Sequence, residues 1–136
     1  MTDSDALQEL MDRQAITELI HRYCRSVDRL DIPLGQSIWH DDGYADYGEW
    51  FYQGPGKEVM EFICTQHRNM PAHSHQIANT LIRLDGDQAG SESYVTVSLR
   101  MNNGEKLCHM TVWGRYIDCW SRRDGRWGLV KRTFVC

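Results

Sequence analysis

The sequence predicts an α+β domain in which a curved, mainly antiparallel sheet wraps around three helices from the N-terminal half. Two observations carry this. Apolar residues recur at helical spacing from Leu7 to Leu30. Four long strand-like segments then fill residues 73–135, each separated from the next by a glycine-bearing turn. A curved sheet closed on one side by helices leaves an internal pocket on its concave face. An apolar pocket of that kind is the default site for a small molecule.

The first helix is marked by Leu7, Leu10 and Met11, then Ile16, Leu19, Ile20, Tyr23, Val27 and Leu30. Pro33 stops it and opens a short second helix with Asp31 as N-cap, because proline suits the first helical turn and a carboxylate oxygen satisfies the free amides there. Leu34, Ile38 and Trp39 are assigned to that short helix, and Asp41-Asp42-Gly43 to a turn. Tyr44-Ala45-Asp46-Tyr47 begins the first extended segment, and Phe51-Tyr52 resumes it after Gly48. Gly54-Pro55-Gly56 breaks the chain. A third helix follows, with Val59, Met60, Phe62 and Ile63 as its buried positions. The long strands lie near 73–84, 88–102, 105–121 and 126–135. Asp85-Gly86-Asp87, Asn102-Asn103-Gly104 and Arg123-Asp124-Gly125 are hairpin turns in which glycine supplies positive φ.

The chain of 136 residues fits one domain spanning 1–136 with one core. Its net charge is −4, and the basic residues form no block. That argues against nucleic acid and against an anionic membrane surface as partners. No apolar run approaches the roughly 20 residues that span a bilayer. The acidic start, Met1-Thr2-Asp3-Ser4-Asp5, is unlike a secretory signal. The five cysteines are odd in number and lack a CxxC pair, as expected of reduced thiols in a cytoplasmic protein.

Two residues stand out chemically. Asp28 closes the first helix, and His75 lies in an alternating strand run. Alternation puts His73, His75, Ile77, Asn79 and Leu81 on one face and Ser74, Gln76, Ala78 and Thr80 on the other. A histidine between apolar neighbours is more often a satisfied core residue than a catalyst. An aspartate on the rim of a helix end is usually solvated, and the helix dipole there gives it no capping role. Brought together over one cavity, however, a carboxylate and an imidazole make a proton-transfer pair. His73-x-His75 could instead ligate a metal, but two histidines need a third ligand and no Cys or His motif supplies one, so no metal is expected. There is no phosphate loop, and Ser91, Ser93 and Ser98 lack the context of a nucleophile. Trp39, Trp50, Trp113, Trp120 and Trp127 fit the core better than a stacking platform. Tyr23 and Tyr47 must bond their hydroxyls to a partner or to a ligand.

The combined pattern resembles a known superfamily. It comprises Asp12-Arg13-x-x-Ile16-x-x-Leu19-Ile20-x-x-Tyr23-x-x-x-x-Asp28, Asp46-Tyr47, His75, Gly114-Arg115-Tyr116-x-Asp118 and Arg122-Arg123-Asp124-Gly125-x-Trp127. These motifs are similar to those of the SnoaL-like proteins, cone-shaped α+β barrels of the nuclear-transport-factor-two-like fold. Within that superfamily the pattern is nearest the scytalone dehydratase group, with γ-hexachlorocyclohexane dehydrochlorinase and bile-acid 7α-dehydratase. Ser37-Ile38-Trp39-His40-Asp41-Asp42, Gly54-Pro55 and His75-x-x-x-Asn79 resemble the dehydrochlorinase in particular. The resemblance implies a catalytic dyad at Asp28 and His75. It implies substrate-binding roles for Tyr23, Tyr47 and Arg132, and His73 is a further candidate on the His75 face. Two departures stand out. The dehydrochlorinase has a lysine where Tyr23 stands, and Tyr94-Val95-Thr96-Val97-Ser98 lacks the second histidine or acid of the dehydratases.

The chemistry expected is base-promoted elimination from a small hydrophobic cyclic molecule, by a lyase of dehydratase or dehydrohalogenase type. His75 takes a proton from carbon and Asp28 holds the imidazole in one tautomer. An imidazole's ordinary pKa of about 6.5 suits that task at neutral pH. No cofactor is expected. The alternatives are an isomerase of ketosteroid-isomerase type, in which a carboxylate alone shuttles a proton, and a non-catalytic ligand-binding module, in which Asp28 and His75 are not in contact. The strand 105–121 is apolar on both sides, with Leu107, Trp113, Ile117 and Cys119 on one and Met110, Val112, Tyr116 and Trp120 on the other. One side therefore packs on another subunit. The resemblance implies a homo-oligomer, trimer ahead of dimer.

Overall fold

The computed structural model describes residues 1–136. Three helices, α1 (Asp3–Asp28), α2 (Ile32–Gln36) and α3 (Gly56–His67), accompany six strands: β1 (Trp39–Asp46), β2 (Gln53–Pro55), β3 (Ala72–Asp85), β4 (Gln88–Asn103), β5 (Lys106–Arg123) and β6 (Arg126–Val135). The strands form one curved open sheet in the order β2-β1-β6-β5-β4-β3. All neighbours are antiparallel except β1 and β6.

A capping box between Thr2 and Asp5 starts α1. The helix ends at Arg29, and Leu30 turns the chain with φ +54°. Ile16, Ile20, Tyr23, Cys24 and Val27 are its buried stripe. Leu7, Leu10 and Met11 are exposed, so the early part of the expected stripe stays outside the core. Asp31 caps α2 by accepting from the Leu34 amide.

The helix assigned to Leu34–Trp39 stops at Gln36, and Trp39 begins β1. Asp41-Asp42-Gly43, expected as a turn, runs inside that strand, where the pairing with β6 slips between Trp39 and Tyr44. Gly43 is there for closeness: a Cβ would sit 2.8 Å from the Trp39 ring and 3.0 Å from the Leu129 carbonyl oxygen. Gly54-Pro55, expected as a break, forms the edge strand β2, and α3 starts directly at Gly56. A Cβ on Gly56 would overlap the Trp39 ring.

The late strands follow the expected meander. Gly86, Gly104 and Gly125 all have positive φ in the hairpin turns. One irregularity matters for side-chain direction. The pairing of β3 with β4 slips between Ile77 and Thr80, and a bulge of this kind reverses the alternation beyond it. Leu81, expected on the His75 face, is consequently 71% exposed, while Ile82 and Leu84 pack on the core.

The core lies between the inner face of β4–β6 (Val95, Val97, Leu99, Tyr116, Trp120, Trp127 and Leu129) and the apolar stripes of α1 and α3. Of the five tryptophans expected inside, Trp50 and Trp113 are exposed. Trp113 faces outward because it lies on the convex side of β5, paired with Thr96. No helix is long and apolar enough to cross a membrane.

Candidate active site

Asp28 is the last residue of α1, and β3 is a sheet edge, so the helix end can reach the strand backbone. The backbone N–H of His75 donates to both Asp28 carboxylate oxygens, at 3.0 and 3.1 Å. The His75 ring donates from Nδ1 to Oδ1 at 2.8 Å. These bonds offset the unfavourable helix dipole at this end. Burial pushes the Asp28 carboxyl up, but the His75 ring and backbone hydrogen bonds, with the charges of His75 and His73, outweigh it and hold it below the usual carboxylate range. Since a carboxylate only accepts, Nδ1 of His75 carries a proton, and in the neutral ring the lone pair is therefore on Nε2.

His75 lines a cavity of about 490 Å³ whose wall is mostly apolar, with Phe51, Ile63, Val97, Leu99 and Val112 among its members. The polar members are Tyr23, Tyr47, Tyr116, His67 and His75. The Tyr23 and Tyr47 hydroxyls share a hydrogen bond of 2.6 Å. Burial first, and then the neighbouring Tyr47 and Tyr116, push Tyr23 well above the usual phenol range. Burial also raises Tyr47. Both hydroxyls are thus protonated donors.

Two candidates sit elsewhere. Arg132 is fully buried and does not line the cavity. It is clamped to Asp118 by two bonds of 2.8 Å, and its guanidinium stacks on the rings of Tyr23 (4.3 Å) and Tyr116 (3.9 Å). It buttresses the tyrosine wall from behind. His73 is also off the cavity wall. Its side chain is 9% exposed and its Nδ1 lies 3.6 Å from Asp28 Oδ1, too long for a hydrogen bond. That nitrogen has no partner.

Sequence reasoning missed His67. It is buried on the cavity wall, with ring centroids 4.9 Å from His73 and 5.4 Å from His75. Its Nδ1 donates to the Ile63 carbonyl at 2.8 Å, and burial lowers its pKa to about 4, so the ring is neutral. The available signal was its place four residues after Ile63 on the apolar stripe of α3. Tyr116, expected to be structural, is also part of the wall. The third ligand absent from the His73-x-His75 motif comes from α1: ligand atoms of Asp28, His73 and His75 all lie within 4.8 Å of one another. A shallower opening touches the dyad as well, lined by His21, Cys24, Arg25, Asp28, His75 and Ile77.

A cone of curved sheet with helices packed inside, and a pocket at its mouth, defines the class to which this chain belongs. Residues 8–133 match the SnoaL-like domain family, and the chain is a member of it. The uncharacterized protein Rv2910c of Mycobacterium tuberculosis is 22% identical over 130 residues, covering 94% of this chain and 87% of that protein. Among solved structures, a hexachlorocyclohexane dehydrochlorinase (LinA, type 2) superposes with a TM-score of 0.85 at 21% identity, covering 96% of this chain and 88% of the other. A candidate scytalone dehydratase from Novosphingobium aromaticivorans gives 0.78 at 21% identity, covering 93% and 84%. At these identities the likeness establishes the shared fold.

Proposed function

We propose that the protein is a cofactor-independent lyase that eliminates water or halide from a small hydrophobic cyclic substrate held in the apolar cavity. One observation carries this: the 2.8 Å bond from His75 Nδ1 to Asp28, with His75 on the cavity wall. His75 Nε2 takes a proton from carbon, the electron pair of that C–H bond forms the new double bond, and the neighbouring C–O or C–halogen bond breaks. Asp28 fixes the tautomer and stabilises the imidazolium. The Tyr23–Tyr47 pair donates a hydrogen bond to the departing group. A halide leaves as the anion and the imidazolium returns its proton to solvent; a departing hydroxyl takes up the proton that the imidazolium gives back and leaves as water. This chemistry calls for no metal or organic cofactor.

Three observations support this reading over the isomerase and the binding module. In the apolar cavity the wall carries His75 and not Asp28, which supports the imidazole as the base over a carboxylate acting alone. A pure binding module gives no reason for a carboxylate to be bonded to the imidazole at the cavity wall. The known fold relatives named as a dehydrochlorinase and a candidate dehydratase favour elimination. We propose also that the chain works as a homo-oligomer, a trimer ahead of a dimer, and resides in the cytoplasm.

The test is a screen of hydroxylated and halogenated alicyclic and aromatic compounds for loss of water or halide, followed by His75→Ala on any substrate found. A roughly 10²-fold loss or more is expected where proton abstraction limits the rate. Wild-type turnover by His75→Ala would sink the elimination mechanism.

A further inference from the structure

We propose that Asp28, His73 and His75 bind a divalent transition metal of the zinc type, and that the bound ion switches His75 off as a base. The binding half stands on its own; the switching half rests on the elimination reading above.

Alternate strand positions point both imidazoles the same way, and the end of α1 delivers the carboxylate between them. The distances to Asp28 Oδ1 are 2.8 Å from His75 Nδ1 and 3.6 Å from His73 Nδ1. Donors about 2.0–2.1 Å from a tetrahedral zinc are roughly 3.3–3.4 Å apart, and the two observed distances bracket that spacing. The independent sign of a ligand is His73. Its side chain is more than nine-tenths buried, its Nδ1 faces the carboxylate, and no protein group bonds it. Buried polar groups are normally paired, and a cation between Nδ1 and Asp28 would give that nitrogen its partner. Two imidazoles and one carboxylate favour zinc, nickel or copper over magnesium or calcium. Asp28 is reached through the shallow opening beside His21 and Arg25, so an ion need not cross the apolar cavity.

The consequence follows from the tautomer. In the dyad, the proton sits on Nδ1 and Nε2 holds the lone pair. A metal takes the Nδ1 lone pair, so the ring's proton moves through solvent to Nε2. Nε2 then donates and can no longer abstract. No net proton is lost and no bond to substrate is involved. The metal-free chain is the active form.

Metal-free protein would be titrated with zinc chloride by calorimetry, and with cobalt chloride by visible absorption. One zinc per chain is expected, with no heat from magnesium, and a cobalt band that zinc removes. Asp28→Asn, His73→Gln and His75→Gln should each weaken zinc binding at least roughly tenfold, with circular dichroism melts showing that each variant folds. Failure of the wild type to bind, or unchanged affinity in all three folded variants, overturns the site. On a substrate from the screen, saturating zinc should cut turnover at least roughly tenfold, and a chelator should restore it. Zinc bound at the triad with unchanged turnover overturns the switch. A chain that binds zinc but eliminates nothing supports the site while the lyase reading fails; a chain that eliminates but binds no zinc does the reverse.

Discussion

Asp28 receives three hydrogen bonds from one residue, and this concentration makes the pair behave as a unit. Asp28→Asn keeps the shape but presents an amide where Nδ1 needs an acceptor charge. Its loss of turnover should approach that of His75→Ala, and the double variant should be little worse than either single. Simple additivity in kcat/KM would show that the two act separately. Arg132 calls for a different measurement. Its charge is buried against Asp118 and between tyrosine rings. Removing one partner leaves the other unpaired, at a cost of about 3–5 kcal/mol. Arg132→Met should therefore melt well below wild type, and adding Asp118→Leu should recover part of the loss. A normal melt for Arg132→Met, with ligand binding abolished, would show that it meets the ligand.

At the scale of elements, Asp12 and Trp127 tie α1 to the β5–β6 hairpin. Asp12 Oδ1 accepts from Trp127 Nε1 at 3.0 Å and from Arg122 Nη1 at 2.6 Å. Trp127 is buried, so Trp127→Ala should cost about 3–5 kcal/mol and lower the melting temperature and yield. The same joint is pH-dependent. Burial raises the Asp12 carboxyl, but hydrogen bonds from Trp127 and Gln8 and the Arg122 charge outweigh it, so its folded pKa lies below the usual value. The unfolded chain then binds the proton more readily. The stabilisation is complete above the ordinary carboxylate pKa of about 3.9 and is lost as pH falls through the lower folded value. Melting temperatures of wild type and Asp12→Asn should differ at neutral pH and converge in acid. A gap that stays constant with pH would mean that the aspartate acts by shape alone.

For the whole molecule, the convex face of the sheet is the open question of assembly. Leu107, Trp113 and Ile117 are 59%, 77% and 38% exposed there, on the side opposite the core. Apolar surface of this size invites a second copy. Sedimentation at micromolar concentration should give a species heavier than the monomer, and Trp113→Glu should shift it to the monomer without altering the far-ultraviolet spectrum. A wild-type monomer at that concentration would refute the assembly.

The sequence by itself determined what short-range physics determines. Helical spacing marked α1 and α3, Asp31 and Pro33 marked the start of α2, and glycines with positive φ marked the three hairpins. Family motifs further pointed to Asp28 and His75. Only the tertiary structure decided what depends on residues distant in the chain. Gly43 and Gly56 read as turn and break because their reason is the Trp39 ring packed over them. Leu81 read as inward because a two-residue period carries no trace of the bulge in the β3–β4 pairing. The clamp of Arg132 on Asp118 left no local trace because the partner lies on another strand. The contact between Asp28 and His75, 47 residues apart, and the third donor beside His73-x-His75, exist only because the end of a helix meets an edge strand. No local pattern can encode such a meeting, since its free energy comes from packing the whole core around it.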